Sequence, residues 1–342
     1  MNENRHRIRV EQKKRRRKKV FYWVTIPLLV IVLGASAYMA YLYSVAKDSA
    51  EKSYDTDFQR DTSMREVEVD PKEDNVSVLF IGVDGSESRD YGDTTRSDAL
   101  MLATFNKSED TVKLVSIPRD SYVYIDEVGY YTRINHAHAY GGPSLTMQTV
   151  EELLEIPIDY YVRLDFYAFI DVVDALGGIE VEVPYEIWEK DAEDNNGAIH
   201  LQPGLQELSG EEALALARTR KLDNDMERGK RQQEILKAIL KKSISVGAIT
   251  KYPEIMKDIS DNTKTNLRFD EMKSLISYGM DGSIDIETLQ LAGSDSTING
   301  AYYYQLDEAK LAELKATLQN HLEVNETSVA KNNGEDKEGT TP

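Results

Sequence analysis

The chain is predicted to fold as an α/β protein, a three-layer α/β/α sandwich around a central mixed β-sheet, behind one N-terminal transmembrane helix. Three observations carry that expectation. Buried-type strands alternate with helical patterns from residue 75 onward. A hairpin, Ala99–Phe105 and Val112–Ile117, puts two consecutive strands antiparallel within an otherwise alternating order. Residues 20–46, "VFYWVTIPLLVIVLGASAYMAYLYSVA", carry no charge over 27 positions, where about 20 cross a bilayer.

Charge divides the chain the same way. Residues 1–19 hold ten Lys/Arg against Glu3 and Glu11, and the rest holds 31 Lys/Arg against 58 Asp/Glu, a net of −27. The basic run Lys13–Lys19 predicts a cytoplasmic N-terminus, so that everything after Lys47 lies outside. Tyr22 and Trp23 at one end, with Tyr41 and Tyr43 at the other, suit interfacial belts. A cleaved signal peptide is the rival, because Ala35-Ser36-Ala37 is an A-x-A site. The full spanning length favours a retained anchor. With no cysteine, disulfides, thiol chemistry and zinc-thiolate sites are excluded.

The elements follow in order. Residues 1–19 form a cytoplasmic basic segment, 20–46 the transmembrane helix and 47–74 a polar stalk. The globular domain spans 75–322 and opens with a strand in "NVSVLFIGVD", then the hairpin. Pro143 marks a helix start in "GGPSLTMQTVEELLEI", and "YYVRLDFYAFIDVVDALGGIEVEVP" reads strand, helix, Gly-Gly stop, strand. Ser209 with Glu212 forms a capping box, which predicts a helix from Gly210 toward Arg218. A longer helix begins near Asp225, "IDIETLQLAG" is a late strand, and "DEAKLAELKATLQNHL" is a closing helix. The last 20 residues, 323–342, read as disordered.

Charged groups gather at the ends of these elements. Asp84 ends the first strand, Arg96 and Asp98 open the second, and Arg119 with Asp120 closes the third. Arg218 and Arg220 end the capped helix, and Arg228, Arg231 and Gln232 open the next on one face. Each cluster alone is ordinary: a solvated ion pair, or the wet side of an amphipathic helix. Together they offer guanidinium forks for phosphate oxygens and two carboxylates for Mg²⁺, as a pyrophosphate–Mg²⁺ site requires. Phosphoryl transfer needs such positioning more than a protein nucleophile. There is no G-x-x-x-x-G-K-[ST] loop and no G-x-S-x-G elbow. His136 and His138 would point the same way on a strand, but without thiolates they are a weak zinc signal. A domain of charge −27 would repel nucleic acid.

The stretches "VLFIGVDGS", "RSDALMLATFN", "VKLVSIPRDSYV", "RINHAHAYGG", "VVDALGGIEVEVP", "LSGEEALALARTR" and "ERGKRQQEILKAI" resemble, in the same order, the LytR–CpsA–Psr family of envelope enzymes of mostly Gram-positive bacteria. Within it the chain looks like the wall teichoic acid transferases of bacilli. The resemblance covers about residues 75–244. It implies a membrane-anchored phosphotransferase that passes an anionic glycopolymer from undecaprenyl pyrophosphate to peptidoglycan, as a phosphodiester on the muramic acid 6-hydroxyl. It implies Asp84 and Asp98 near Mg²⁺ (with Mn²⁺ as a substitute), Asp84, Asp98 and Arg119 as catalytic, and Arg96, Arg119, Arg218, Arg220, Arg228 and Gln232 on the pyrophosphate. Asn135 and Arg231 fall in matching motifs, and the lipid would lie in an apolar tunnel between sheet and helices. The acidic exterior runs against an anionic polymer unless the arginine cluster dominates locally and wall cations screen the rest. Competing readings are a hydrolase of the same lipid-linked polymer, a membrane-bound transcriptional regulator whose cytosolic part is too short to fold into a reading head, and a non-catalytic lipid scaffold.

Overall fold

A computed structural model describes residues 2–60, 63–65, 69–84, 95–219, 225–243, 252–277 and 284–324. The chain divides into Met1–Asp48 and Ser49–Pro342. The first unit holds most of helix α1 (Asn2–Ser53), in which Phe21–Ser53 is long and apolar enough, by length and composition, to cross a membrane.

The second unit is built on a six-stranded mixed sheet. Its members are β1 (Val76–Val83), β2 (Ser97–Asn106), β3 (Thr111–Ile117), β6 (Tyr160–Leu164), β11 (Thr263–Thr265) and β12 (Asp285–Gln290), in the order β11-β6-β1-β2-β3-β12. β6 runs parallel to β1 and β12 parallel to β3, while β2 is antiparallel to both its neighbours. The strands β1, β3, β6 and β12 therefore end at one edge, where β2 begins. That edge is where open α/β sheets place their ligands.

Alternation along the strands supplies two apolar faces. Leu79, Ile81 and Val83 of β1, with Leu100, Leu102, Val115 and Ile117, face α2 (His136–Leu154) and α8 (Glu308–Leu322). Val76, Val78, Ala103, Phe105, Val112 and Leu114 face the opposite way, toward α5 (Asp225–Ser243) and α7 (Phe269–Ser277). A smaller core joins α3 (Phe166–Ala175) and α4 (Gly210–Arg218) to β7 (Ile179–Val183) and β10 (Gly204–Leu208), and α6 (Tyr252–Ile259) packs on α3 through Ile255.

Each element read from periodicity is present. Ser209 caps α4 with the reciprocal Glu212 bond. α2 breaks at Gly141 and Gly142, whose φ of 61° and ψ of −151° only glycine adopts without strain, and Pro143 opens its second stretch. Small two-stranded ribbons escaped the sequence reading: β4 (Tyr122–Ile125) with β5 (Tyr130–Arg133), β8 (Ile187–Glu189) with β9 (Ile199–Leu201), and β13 (Gly293–Ile298) with β14 (Ala301–Leu306).

Two expectations need correction. His136 and His138 lie in the first turn of α2 and not on a strand. The stretch read as a stalk touches the domain at described residues: Arg60 pairs with buried Glu151 and donates to the Ile158 carbonyl at 2.6 Å, and Arg65 pairs with Asp159 at 2.9 Å. Burial pushes the Glu151 carboxyl above its ordinary value while Arg60 opposes the shift. An uncompensated buried carboxylate is costly, which is why a polar segment is held down here. Of the expected tail, residues 325–342 lie outside the described residues.

Candidate functional site

The site begins with a register irregularity. Gly82 pairs with Ala99 but Val83 pairs with Ser97, so Asp98 has no partner on β1 and forms a bulge. Bulges re-aim side chains at sheet ends. On its other side β2 pairs with β3 through Leu100 and Ile117, and the same register carried two residues on sets Asp98 opposite Arg119. The two are ion-paired, with Arg119 Nη1 on Asp98 Oδ1. Arg119 Nε lies 3.6 Å from Asp120 Oδ2, and Asp120 Oδ1 lies 3.3 Å from Arg133 Nε. Acid and base thus alternate in a string from Asp98 to Arg133. Asp84 follows β1, half-buried at the same edge, and Arg96 is exposed there.

His136 joins this string. Its Nδ1 lies 2.9 Å from Thr132 Oγ1, and its buried Nε2 has no hydrogen-bond partner. Burial first, then the charges of Arg96 and Arg133, holds its pKa below the ordinary imidazole value, against the pull of Asp120. Its neighbour His138 is buried, with Nδ1 2.6 Å from the Thr95 carbonyl, and steadies the start of β2. Asn135 is buried, its backbone N–H donates to the Arg119 carbonyl at 3.2 Å, and its side-chain Oδ1 is buried without a partner.

The helix arginines divide in role. Arg218 stacks 4.8 Å over the Phe166 ring, just past the end of β6, and its head lies 3.9 Å from Asp194 Oδ1 and 3.4 Å from the Asp191 carbonyl. Arg228 is 6 % exposed where α5 crosses β3. A Cβ on neighbouring Gly229 would stand 2.8 Å from Ser116 Oγ, so α5 lies close against β3 at this point. Arg231 points elsewhere: it donates to the carbonyls of Leu216 and Thr219, and Gln232 donates to that of Ala217 at 3.2 Å. These two cap the last turn of α4, so the face expected to hold phosphate is partly spent on a helix terminus. Arg220 lies outside the described residues.

The fold therefore brings Asp84, Arg96, Asp98, Arg119, Arg218 and Arg228 to one end of the sheet from the ends of five separate elements. Sequence reasoning missed Arg133 and buried Gln233, which donates to the carbonyls of Leu114 and Leu289 and so sets α5 on the β3–β12 seam. Gln233, one of two adjacent glutamines in a polar helix, gives no signal for that. The layer beneath α5 and α7 is apolar, with Phe80, Val162, Leu236, Leu240, Met272 and Leu275 only partly buried. Two clefts of about 380 and 330 Å³ have mixed charged linings near Val69 and Glu271, at the opposite end of β6, and do not match the apolar tunnel expected from the sequence.

Among the described residues no group of three or more His, Asp or Glu forms a metal cage. Of the carboxylates at the edge, Asp120 is buried between Arg119 and Arg133, and Asp84 and Asp98, the latter paired with Arg119, are the more accessible two. Hard oxygen donors in that number suit Mg²⁺ whose other positions are filled by phosphate and water, so the donor set fits that ion.

Known proteins show the family of the chain. The model of the LytR_cpsA_psr family matches residues 39–320. Polyisoprenyl-teichoic acid–peptidoglycan teichoic acid transferase TagT of Bacillus subtilis (strain 168) is 39 % identical over 319 residues, covering 92 % of this chain and 98 % of its own. The structure of TagT bound to LI-WTA superposes with a TM-score of 0.66 at 43 % identity, over 76 % of this chain and 96 % of that one. The family protein YwtF (TagT) with bound octaprenyl pyrophosphate lipid gives 0.62 at 42 %, over 76 % and 95 %. The architecture, the motif order and these likenesses agree, and the chain belongs to the LytR-CpsA-Psr family.

Proposed function

We propose that this protein is a membrane-anchored phosphotransferase that moves an anionic glycopolymer, wall teichoic acid, from its undecaprenyl-pyrophosphate carrier to peptidoglycan. The observation that carries the reading is the convergence of Asp98, Arg119, Arg218 and Arg228 at the strand ends, in a chain homologous to TagT with bound polyprenyl pyrophosphate. The basic N-terminal run supports a type II orientation in the cell membrane of a Gram-positive bacterium, with residues 75–322 outside.

In this reading Arg119, with Arg96, Arg218, Arg220 and Arg228, grips the pyrophosphate oxygens through parallel hydrogen bonds. Bound Mg²⁺, held by Asp84 and Asp98, would neutralise phosphate charge. The acceptor hydroxyl oxygen bonds to the phosphorus that carries the polymer. The bridging P–O bond breaks and undecaprenyl phosphate leaves. Asp84 or Asp98 takes the hydroxyl proton. Donors already fixed by the sheet edge stabilise the charge that grows on the leaving phosphate without reorganising.

The test is reconstitution of the full chain in detergent with lipid-linked polymer, peptidoglycan and Mg²⁺. Polymer attached to peptidoglycan through a phosphodiester is expected, and chelation should abolish it. Release of free polymer regardless of acceptor would establish the hydrolase instead.

A further inference from the structure

The two ribbons beside the site carry more exposed aromatic surface than folding requires. In β4 and β5 the residues Val123, Ile125 and Thr132 face inward and are buried. The outward face consists of Tyr122, Tyr124, Tyr131 and Arg133, paired across the ribbon as Tyr122 with Arg133 and Tyr124 with Tyr131. The rings sit at regular steps: Tyr124 to Tyr131 at 5.2 Å, Tyr131 to Tyr122 at 5.2 Å, and Tyr122 to Tyr303 of β14 at 4.9 Å. Tyr124 and Tyr131 are nevertheless 42 % and 57 % exposed. Cross-strand aromatic pairs do stabilise an isolated ribbon, but that requires ring contact and not open ring faces.

The strip is joined to the reacting centre. Arg133 lies 5.2 Å over the Tyr303 ring, and both its Nε and Nη2 donate to the Tyr302 carbonyl, at 3.0 and 2.9 Å. The same Nε reaches Asp120, which in turn lies beside Arg119. β14 is tied to the Arg119–Ser121 turn, since the Tyr304 N–H donates to the Asp120 carbonyl at 2.8 Å. Arg119 and the tyrosine strip are therefore joined by an unbroken chain of contacts.

From this continuity, and resting on the transferase reading, we infer that the tyrosine strip formed by Tyr122, Tyr124, Tyr131 and Tyr303 is the subsite for the acceptor glycan strand. The C–H face of a pyranose stacks on the negative face of a phenol ring, and the phenol hydroxyl meets the sugar's hydroxyls. A row of rings holds successive sugars of a strand while the reactive one lies at the Arg133–Arg119 end. Charge selects among occupants. The turn between the strands carries exposed Asp126 and Glu127, which disfavours the anionic donor polymer and an anionic bilayer surface but not uncharged sugar faces. The donor keeps the arginines and the acceptor takes the tyrosines.

The experiment titrates the full-length protein in detergent with β-1,4-linked N-acetylglucosamine oligosaccharides and measures transfer against peptidoglycan concentration. The Tyr124→Ala/Tyr131→Ala pair should weaken oligosaccharide binding and raise the acceptor KM about tenfold, with kcat and polyprenyl-pyrophosphate affinity unchanged. Tyr124→Phe/Tyr131→Phe should stay within about twofold, because the ring faces persist. If the double alanine variant melts early, Tyr131→Ala, the more exposed position, is scored alone. Unchanged acceptor KM in a folded alanine variant overturns the proposal, as does loss of binding to anionic vesicles with acceptor use intact. No transfer by the unsubstituted protein sinks the transferase reading, whereas transfer indifferent to both rings sinks the strip alone.

Discussion

Arg231 donates at 2.6 Å to the carbonyl of Thr219, the residue that ends α4, and at 3.1 Å to that of Leu216. One arginine of α5 thereby closes the helix from which another, Arg218, projects toward the sheet edge. Helix C-termini leave carbonyls without partners, and a guanidinium supplies several donors in fixed geometry. The relationship separates arginines that build the site from those that work in it.

Arg231→Ala should therefore act on stability. Removing a buried group with charge-assisted bonds costs about 3 kcal/mol, which thermal denaturation would read as a midpoint lowered by roughly 6–10 °C. Arg218→Ala, whose ion partner is a part-exposed Asp194 at 3.9 Å, should leave the midpoint within about 2 °C and lower transfer instead.

Arg119→Ala should lower kcat by about 10²–10³, the loss expected when one preorganised donor to developing charge is removed. Arg119→Lys should rescue little, because an ammonium cannot reproduce a planar fork bridging Asp98 and phosphate. Transfer of labelled lipid-linked polymer measures both, and a variant with native kcat would remove Arg119 from the mechanism.

Stability should fall with pH through His321. This histidine is 3 % exposed between Thr104 and Thr111, with its ring nitrogens 2.8 and 2.9 Å from their hydroxyls, and burial pushes its pKa down to about 4. Between about pH 6.5 and 4 the unfolded chain binds a proton that the folded one refuses, so stability is lost as pH falls through that window. Urea denaturation should show about 2 kcal/mol less stability at pH 5 than at pH 7 from this group. His321→Gln should flatten the slope.

Gly229→Ala should destabilise, although the same change in an open helix stabilises by about 1 kcal/mol. The new Cβ would meet Ser116 Oγ at 2.8 Å and lift α5 from β3, displacing Arg228 from the edge. A lower melting midpoint with reduced transfer is expected, and Ser116→Gly in the same chain should restore part of both.

Local patterns were legible because their causes lie a few residues apart. The Ser209–Glu212 box, the hairpin of β2 and β3 and the Gly-Gly stop at 177–178 each depend on residues close together in the chain, and each appeared as read, while the helix that holds the uncharged run extends beyond it on both sides, from Asn2 to Ser53. The short ribbons were harder. "YVYI" and "YYTR" are four-residue runs placed by Val123 and Ile125 packing into the main core and by Tyr122 meeting Tyr303 of β14, contacts that have no sequence-local signature.

Composition and order by themselves determined an apolar N-terminal helix, a mixed α/β domain and a set of charged strand ends, since hydrophobic period and charge are properties of short windows. Tertiary structure alone decided which charges meet. A one-residue bulge turned Asp98 toward Arg119, burial sent Arg231 and Gln232 to a helix terminus, and a ribbon unseen in the pattern brought Arg133 and its tyrosines to the same edge. Register and burial are set by segments far apart in the chain, and no local window contains them.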